Sequence, residues 1–83
     1  MNNKRMIVIL PAGWVFVGIW DQRDGYTLLK NASCIRRWGT KAGLGELALK
    51  GPRNETILEP CGTLRFKTGT EIAAMECTTE NWK

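Results

Sequence analysis

Histidine, the side chain used most often for acid-base catalysis near neutral pH, is absent from the 83-residue chain. Asp21, Asp24 and Tyr26 are able to transfer protons, but they stand in no recognisable catalytic pairing. Ser33 and Cys34 have no neighbouring base in the sequence that would activate them as nucleophiles. The sequence therefore predicts a protein that is not an enzyme and that binds its ligand without transforming it.

Cysteine is scarce and has no metal-binding spacing. Cys34, Cys61 and Cys77 are odd in number and form no Cys-x-x-Cys motif. Because zinc sites are built from clusters of cysteine and histidine, we expect no metal and no cofactor. Free buried thiols are typical of proteins in a reducing compartment, so the interpretation is a cytoplasmic protein with three unpaired, buried cysteines.

A long hydrophobic run is also missing. Lys4 and Arg5 precede two apolar stretches at residues 6–10 and 14–20, which imitates a signal peptide, but Pro11 and Gly13 interrupt them. The combined segment is too short to cross a bilayer, and no small-x-small cleavage site precedes residue 20. We therefore expect neither a cleaved leader nor a membrane contact.

The composition that is present is that of an ordinary globular protein. Hydrophobic residues make up 43% of the chain and charged residues 24%. Eighty-three residues suit one domain, 1–83, at a size where a single core gives marginal stability. Homo-oligomerisation is therefore expected. The four tryptophans are many for this length, and some are expected to meet a partner or ligand.

Apolar alternation and turn residues predict five strands. Residues 6–10 form a short buried strand, and residues 14–20 are apolar on both faces, which is typical of a central strand. Gly18 marks a bend or a close crossing of backbones. Asp24-Gly25 predicts a hairpin into a third strand at residues 26–38. Two short strands follow at 63–67 and 71–77, after a loop at 53–60.

A short helix is predicted between the third and fourth strands. Thr40 can cap its start, Leu44, Leu47 and Ala48 recur at helical spacing, and Gly51 is a stop signal. The fold class is therefore mainly β (α+β): a strongly bent, five-stranded antiparallel barrel with one helix inserted after strand 3. Sharply bent strands are how small barrels close.

Positive charge is concentrated in residues 30–53, which hold six cations and a single acid, Glu46. Arginine and lysine side chains beside a helix start are suited to bind phosphate, and a neighbouring tryptophan can stack on a base. The candidate ligand-binding residues are Arg36, Arg37, Trp38, Thr40, Lys41 and Gly43. The alternative is that Trp38 packs in the core while the arginines are solvated.

Two family resemblances bear on these predictions. Residues 13–32, with their glycine-spaced apolar run, acidic-glycine turn and Leu-Leu-Lys-Asn-Ala ending, resemble the first half of an Sm-like motif, and Lys67-Thr68-Gly69 before Ile72 resembles the second half. That likeness implies an SH3-like barrel that assembles into rings and binds RNA. In this chain, however, the helix follows the third strand, whereas Sm-like proteins carry it before the first.

Most of the chain is similar to a family of small, uncharacterised phage and prophage proteins. The shared features are Gly-Leu-Gly-Glu-Leu-Ala at residues 43–48, the Gly51-Pro52 stop and a closing strand near residues 76–78. This resemblance implies a phage accessory protein in the bacterial cytoplasm. By analogy with proteins of this size, the leading hypothesis is an anti-defence protein that sequesters a phosphorylated ligand such as a cyclic nucleotide signal. The alternatives are an RNA- or DNA-binding protein and an inhibitor that binds a host protein.

Overall fold

The computed structural model describes residues 3–40, 43–79 and 82. Strands alternate with short connections along most of the chain. The strands are β1 (Arg5–Leu10), β2 (Trp14–Arg23), β3 (Tyr26–Arg37), β4 (Ile57–Lys67) and β5 (Ala73–Glu76), with one α-helix, α1 (Leu44–Lys50), among the described residues. A turn of 3-10 helix, Pro11–Gly13, joins β1 to β2.

All five strands lie in one antiparallel sheet in the order β4-β3-β2-β1-β5. The prediction of a mainly β fold with one short helix after the third strand is confirmed, as is the central position of β2. The two edge strands, β4 and β5, are not paired with each other in the described residues. The sheet is therefore open, and the predicted closure into a barrel is not present.

The hairpin and the bend follow the predictions. Asp24 and Gly25 adopt φ angles of 46° and 85°, the left-handed pair that a tight hairpin turn requires. At Gly18 the register between β2 and β3 shifts, and a Cβ there would lie 3.1 Å from the Cα of Ala32. The backbones of β2 and β3 therefore approach closely at this point, and a side chain at position 18 would require its neighbours to shift.

Strand β4 is longer than predicted, because it begins at Ile57 inside the segment expected to be a loop. Its pairing with β3 is irregular around residues 60–62. Pro60 and Gly62 lie within the strand, and both are tolerated on an edge strand, where one side of the backbone needs no sheet partner. Strand β2 likewise continues through Arg23.

Apolar side chains cover both faces of the sheet. On one face, side chains of helix α1 and Trp82 pack against side chains of the sheet. The helix contributes Leu44, Leu47 and Ala48, and the sheet contributes Ile7, Val15, Val17 and Ile35. On the other face, Met6, Val8, Trp20, Leu29 and Ala32 form a second cluster that Leu64 and Phe66 of β4 help to cover. Trp20 meets Phe66 edge-on at 6.3 Å between ring centroids. The two clusters explain why β2 is apolar on both sides.

The tryptophans divide into two buried and two exposed side chains. Trp20 and Trp82 are 1% and 5% exposed, whereas Trp14 and Trp38 are 52% and 43% exposed. Trp14 stacks on Phe16 at the start of β2, with ring centroids 6.2 Å apart. Among the tryptophans of β2, Trp20 therefore packs in the core, whereas Trp14 does not.

The three cysteines are free, as predicted, but they differ in burial. Cys34 is buried, Cys77 is half-buried and Cys61 is exposed, so the prediction of three buried thiols is wrong for Cys61. This follows from the position of Cys61 on the exposed edge strand β4. Burial raises the pKa of the Cys77 thiol to about 11, which keeps it protonated at neutral pH.

Candidate functional site

A concave feature opens where the chain leaves β3. It is a cavity of about 770 Å³, called here the exit cavity. Three segments form its walls: the end of β3 and the residues after it, the first turn of α1, and the loop before β4. The lining residues are Arg37, Gly39, Thr40, Glu46, Pro52, Arg53, Asn54 and Glu55.

Helix α1 starts later than predicted. Gly43 is its N-cap residue, with no side-chain hydrogen bond, and a φ of 87° excludes Gly43 itself from the helix. The hydroxyl of Thr40 instead donates to the carbonyl of Gly43 at 2.9 Å and so contacts the N-cap residue of the helix. The end at Gly51 is confirmed, because its backbone N–H donates to the carbonyl of Leu47 at 2.8 Å.

A glycine sets the contact between two walls of the exit cavity. Gly39 has a φ of 66°, and a Cβ at this position would overlap the backbone of Glu55 and Thr56. The chain leaving β3 therefore lies directly on the chain entering β4. Any other residue at position 39 would separate the two segments, since the overlap is with backbone atoms and not with a flexible side chain.

The hydroxyl of Thr56 adds a hydrogen bond between the same two segments. It donates to the carbonyl of Trp38 at 2.6 Å and accepts from the backbone N–H of Arg53 at 2.8 Å. The backbone N–H of Thr56 donates to the carbonyl of Arg53 at 3.1 Å. Residues 53–56 therefore form a closed turn, and this turn fixes the backbone from which Arg53 and Glu55 project.

Two arginines and two glutamates give the exit cavity its charges. The guanidinium of Arg37 lies 3.1 Å from Glu55, and both side chains are more than half exposed. Arg53 lies 3.2 Å from Glu46, whose side chain is only 15% exposed. Exposed ion pairs contribute about 1 kcal/mol or less, so the Arg37 pair can separate at little cost. The more enclosed Arg53 pair holds its arginine in place.

The structure brings together only some of the predicted site residues. Arg37 and Thr40 line the exit cavity, whereas Gly43 is the N-cap residue of α1 and is not one of the lining residues. Arg36 does not line it, and its guanidinium lies 3.9 Å from Glu59 of β4. Trp38 is exposed between two lining residues, so it does not pack in the core. Lys41 lies outside the described residues.

The remaining lining residues were not predicted as ligand contacts. Arg53 was recognised only as part of the basic region, although it follows the Gly51-Pro52 stop signal. After this stop the chain turns back toward the end of β3, and residues 53–55 line the same cavity as Arg37. Local sequence patterns do not predict this contact, because the whole helix separates the two segments in the chain.

No group of residues suited to hold a metal ion occurs among residues 3–40, 43–79 and 82. Within the same ranges, no helix has the length and apolar character needed to span a bilayer. The chain matches no model of a known protein family and no curated protein. The exit cavity is therefore interpreted from its own geometry and charges.

Proposed function

We propose that the protein binds a small phosphorylated, nucleotide-like ligand in the exit cavity and holds it without chemical change. The observation that carries this proposal is that Arg37 and Arg53, from two different segments, line one cavity. The cavity volume of about 770 Å³ lies within the range of small-molecule sites, roughly 300–1,000 Å³. Two arginines that line one cavity are suited to bind the several oxygens of a phosphate.

The two arginines differ in whether a bound phosphate must displace their acidic partners. A phosphate approaching Arg37 displaces the exposed carboxylate of Glu55, which costs little because that pair is solvated. Arg53 keeps its contact with the enclosed Glu46 while other N–H groups of its guanidinium remain free to donate. Because both glutamates repel anions, inorganic phosphate alone is expected to bind weakly.

Selectivity for a nucleotide then depends on groups that recognise a base. The indole of Trp38 is 43% exposed and lies between the lining residues Arg37 and Gly39 in the chain, where it offers a surface for stacking. The Asn54 side chain, which lines the cavity, carries both a donor and an acceptor for a base edge. Arg37, Arg53, Trp38 and Asn54 are therefore assigned the ligand contacts, with Lys41 and Arg36 contributing long-range attraction.

The proposal includes a biological role, that of a phage protein in the bacterial cytoplasm, which the family resemblances support. A phage accessory protein that sequesters a nucleotide signal, such as a cyclic dinucleotide, in the bacterial cytoplasm needs tight binding and no turnover. Kinship with SH3-like and Sm-like barrels is supported by the five antiparallel strands and the bend at Gly18. Homo-oligomerisation would raise the number of sites carried by one particle.

Calorimetry with a panel of cyclic and linear dinucleotides tests the proposal. The wild-type chain is expected to bind at least one of them tightly at one ligand per cavity. Because a hydrogen bond to a charged group contributes about 1.5–3 kcal/mol, Arg37→Ala and Arg53→Ala should each weaken binding by about tenfold to a hundredfold. Arg65→Ala is the matched control: this arginine lies over the Tyr26 ring, 4.9 Å from its centroid, and is not a lining residue.

The alternatives give different results in the same set of variants. A nucleic-acid-binding protein would bind RNA or DNA with an affinity that falls steeply with salt, and Arg36→Ala and Arg65→Ala would weaken it as much as Arg37→Ala. A protein that binds a host protein through an apolar surface would lose no affinity in Arg37→Ala. Unchanged dinucleotide binding in the Arg37→Ala, Arg53→Ala double variant would overturn the proposed site.

A further inference from the structure

A second and much smaller cavity lies beside the cluster that α1 covers. Its volume is about 50 Å³, enough for a few water molecules or for one compact ion. It is called here the Trp82 cavity. Its lining combines two apolar side chains with four that carry hydrogen-bond donors: Val17, Leu58, Arg5, Asn31, Ser33 and Trp82.

Trp82, which lines this cavity, carries an unsatisfied donor. The residue is 5% exposed, and its indole Nε1 has no hydrogen-bond partner among the described residues. A buried N–H without an acceptor costs about 1–3 kcal/mol, so an acceptor at this position would stabilise the fold. An indole N–H can only donate, which restricts the missing partner to an acceptor.

Arg5 places a positive charge at the same cavity. Its guanidinium donates to the backbone carbonyl of Trp82 at 3.2 Å, which uses one of its five N–H groups. No carboxylate of the described residues lies within ion-pair distance of Arg5, in contrast to Arg23, Arg36, Arg37 and Arg53. The charge of Arg5 therefore has no neutralising partner among residues 3–40, 43–79 and 82.

The remaining polar lining agrees with this pattern. Asn31 carries an amide donor and Ser33 a hydroxyl donor, and no acidic side chain of the described residues lines the cavity. Within the part of the chain that the structure describes, the cavity thus combines one cation and three neutral donors with no anionic group. A compact anion would satisfy the indole N–H and neutralise the guanidinium at the same time.

We propose that the Trp82 cavity binds one compact anion, a halide or a single carboxylate group. The volume excludes a nucleotide, so this site is independent of the exit cavity and of the function proposed for it. The anion joins β1, which carries Arg5, to β3, which carries Ser33, and to Trp82, which covers one cluster of the core.

Nuclear magnetic resonance of the full chain labelled with ¹⁵N tests this site, because each of the four tryptophans gives one indole N–H signal. Trp82→Phe identifies the relevant signal. Sodium chloride or sodium formate is titrated at constant ionic strength, with sodium gluconate as the bulky replacement salt. The Trp82 signal is expected to move saturably, while that of Trp20 stays in place. Trp20 is a built-in control, since its indole is equally buried and unpaired but lines neither cavity.

Variants separate a real site from a general salt effect. Arg5→Gln is expected to weaken binding by at least about tenfold, and Ser33→Ala by about threefold to tenfold, because charged and neutral hydrogen bonds contribute differently. Lys4→Gln is the control, since its ammonium is exposed and lies 3.9 Å from Glu76. Equal shifts of all four indole signals, or an unchanged affinity in both Arg5→Gln and Ser33→Ala, would overturn the proposal.

The carboxylate could also come from the chain itself, and this result would equally overturn binding of a dissolved anion. Glu80 stands two residues before Trp82 in the sequence. If it supplies the acceptor, Glu80→Gln moves the Trp82 indole signal in the absence of any added salt, and chloride or formate has no effect on the wild-type chain. If a dissolved anion binds, Glu80→Gln leaves the titration unchanged.

Discussion

Asp21 is a buried carboxylate at the end of the β2–β3 hairpin, with 6% of its surface exposed. The ammonium of Lys30 lies 3.1 Å from its Oδ2, and Nε of Arg23 donates to the same oxygen at 2.8 Å. The hydrogen bond from Lys30 is the main cause of a lowered Asp21 pKa, and the contact with Arg23 adds to it against the effect of burial. The folded state therefore favours the ionised form of this carboxyl.

We predict that Asp21→Asn lowers the free energy of unfolding at pH 7 and that this loss fades in acid. A carboxyl whose pKa is lowered by folding stabilises the fold above its unfolded pKa, about 4, and the effect is lost as the pH falls through the folded value. Urea unfolding of the wild type and the variant at a series of pH values measures this difference in the free energy of unfolding. Asp24→Asn is the matched control, because Asp24 is exposed in the turn of the same hairpin. Identical pH profiles for the two variants would contradict the prediction.

Single residues differ in how far the sequence predicts their roles. The strain at Asp24-Gly25 and the close approach at Gly18 follow from local patterns, because the hairpin and the strand are contiguous in the chain. The crossing at Gly39 was not predicted, since its partners, Glu55 and Thr56, belong to a segment beyond the helix. Burial of Asp21 was also missed, because the pattern placed it in a polar turn and not in β2.

Helix α1 is an element whose stability depends on the sheet. It spans only seven residues, and isolated helices of that length are unstable in water. Leu44, Leu47 and Ala48 bury one side of it against the cluster that includes Ile35 and Trp82. The backbone N–H of Thr78 donates to the carbonyl of Ala48 at 2.9 Å and ties the segment after β5 to the helix.

Leu47→Ala is expected to cost about 2–5 kcal/mol in the free energy of unfolding, because Leu47 is fully buried and its removal leaves a cavity. Leu49→Ala, at an exposed position in the same helix, should change it by about 0.5 kcal/mol or less. Urea unfolding measures both. If Leu47→Ala does not fold, Leu47→Met gives the same test with an expected cost below about 1.5 kcal/mol. Equal effects at positions 47 and 49 would contradict this packing.

Elements were predicted best where their signals are local. The apolar periodicity and the Gly51 stop located α1, but its start was placed at Thr40, because a threonine cap and a left-handed Gly43 cannot be distinguished in sequence. Of the predicted ligand-binding residues, Arg37 and Thr40 line the exit cavity, whereas Arg53 and Asn54, which also line it, were not predicted as ligand contacts. Arg53 and Asn54 lie at the cavity because the chain turns back after α1. Local apolar periodicity predicts helices and strands but not this change of direction.

At the scale of the whole molecule, the open sheet leaves two edge strands. Among the described residues, β4 and β5 each pair with one neighbour only. Strand β4 is long and mostly exposed, and it carries Cys61. Natural proteins cover such edges or use them for assembly, since unpaired N–H and C=O groups recruit further strands.

If the chain forms a homo-oligomer through these edges, its mass by light scattering should be a multiple of 9.3 kDa. Backbone amides of β4 or β5 should then exchange with deuterium more slowly as the protein concentration rises. Amides of the central strand β2 provide the control, because they are paired on both sides at every concentration. A mass of 9.3 kDa, together with exchange at both edges that does not depend on concentration, would rule out this mode of assembly.

The pairing of β1 with β5 joins the first and last of the five strands, with Met6 opposite Glu76. During synthesis, β1 leaves the ribosome before its second partner, because β2, β3, α1 and β4 are translated between β1 and β5. One edge of an apolar strand therefore stays open until β5 is made, and contacts so distant in sequence form slowly. Translation speed and chaperone supply should thus affect the yield of native protein more than its final stability.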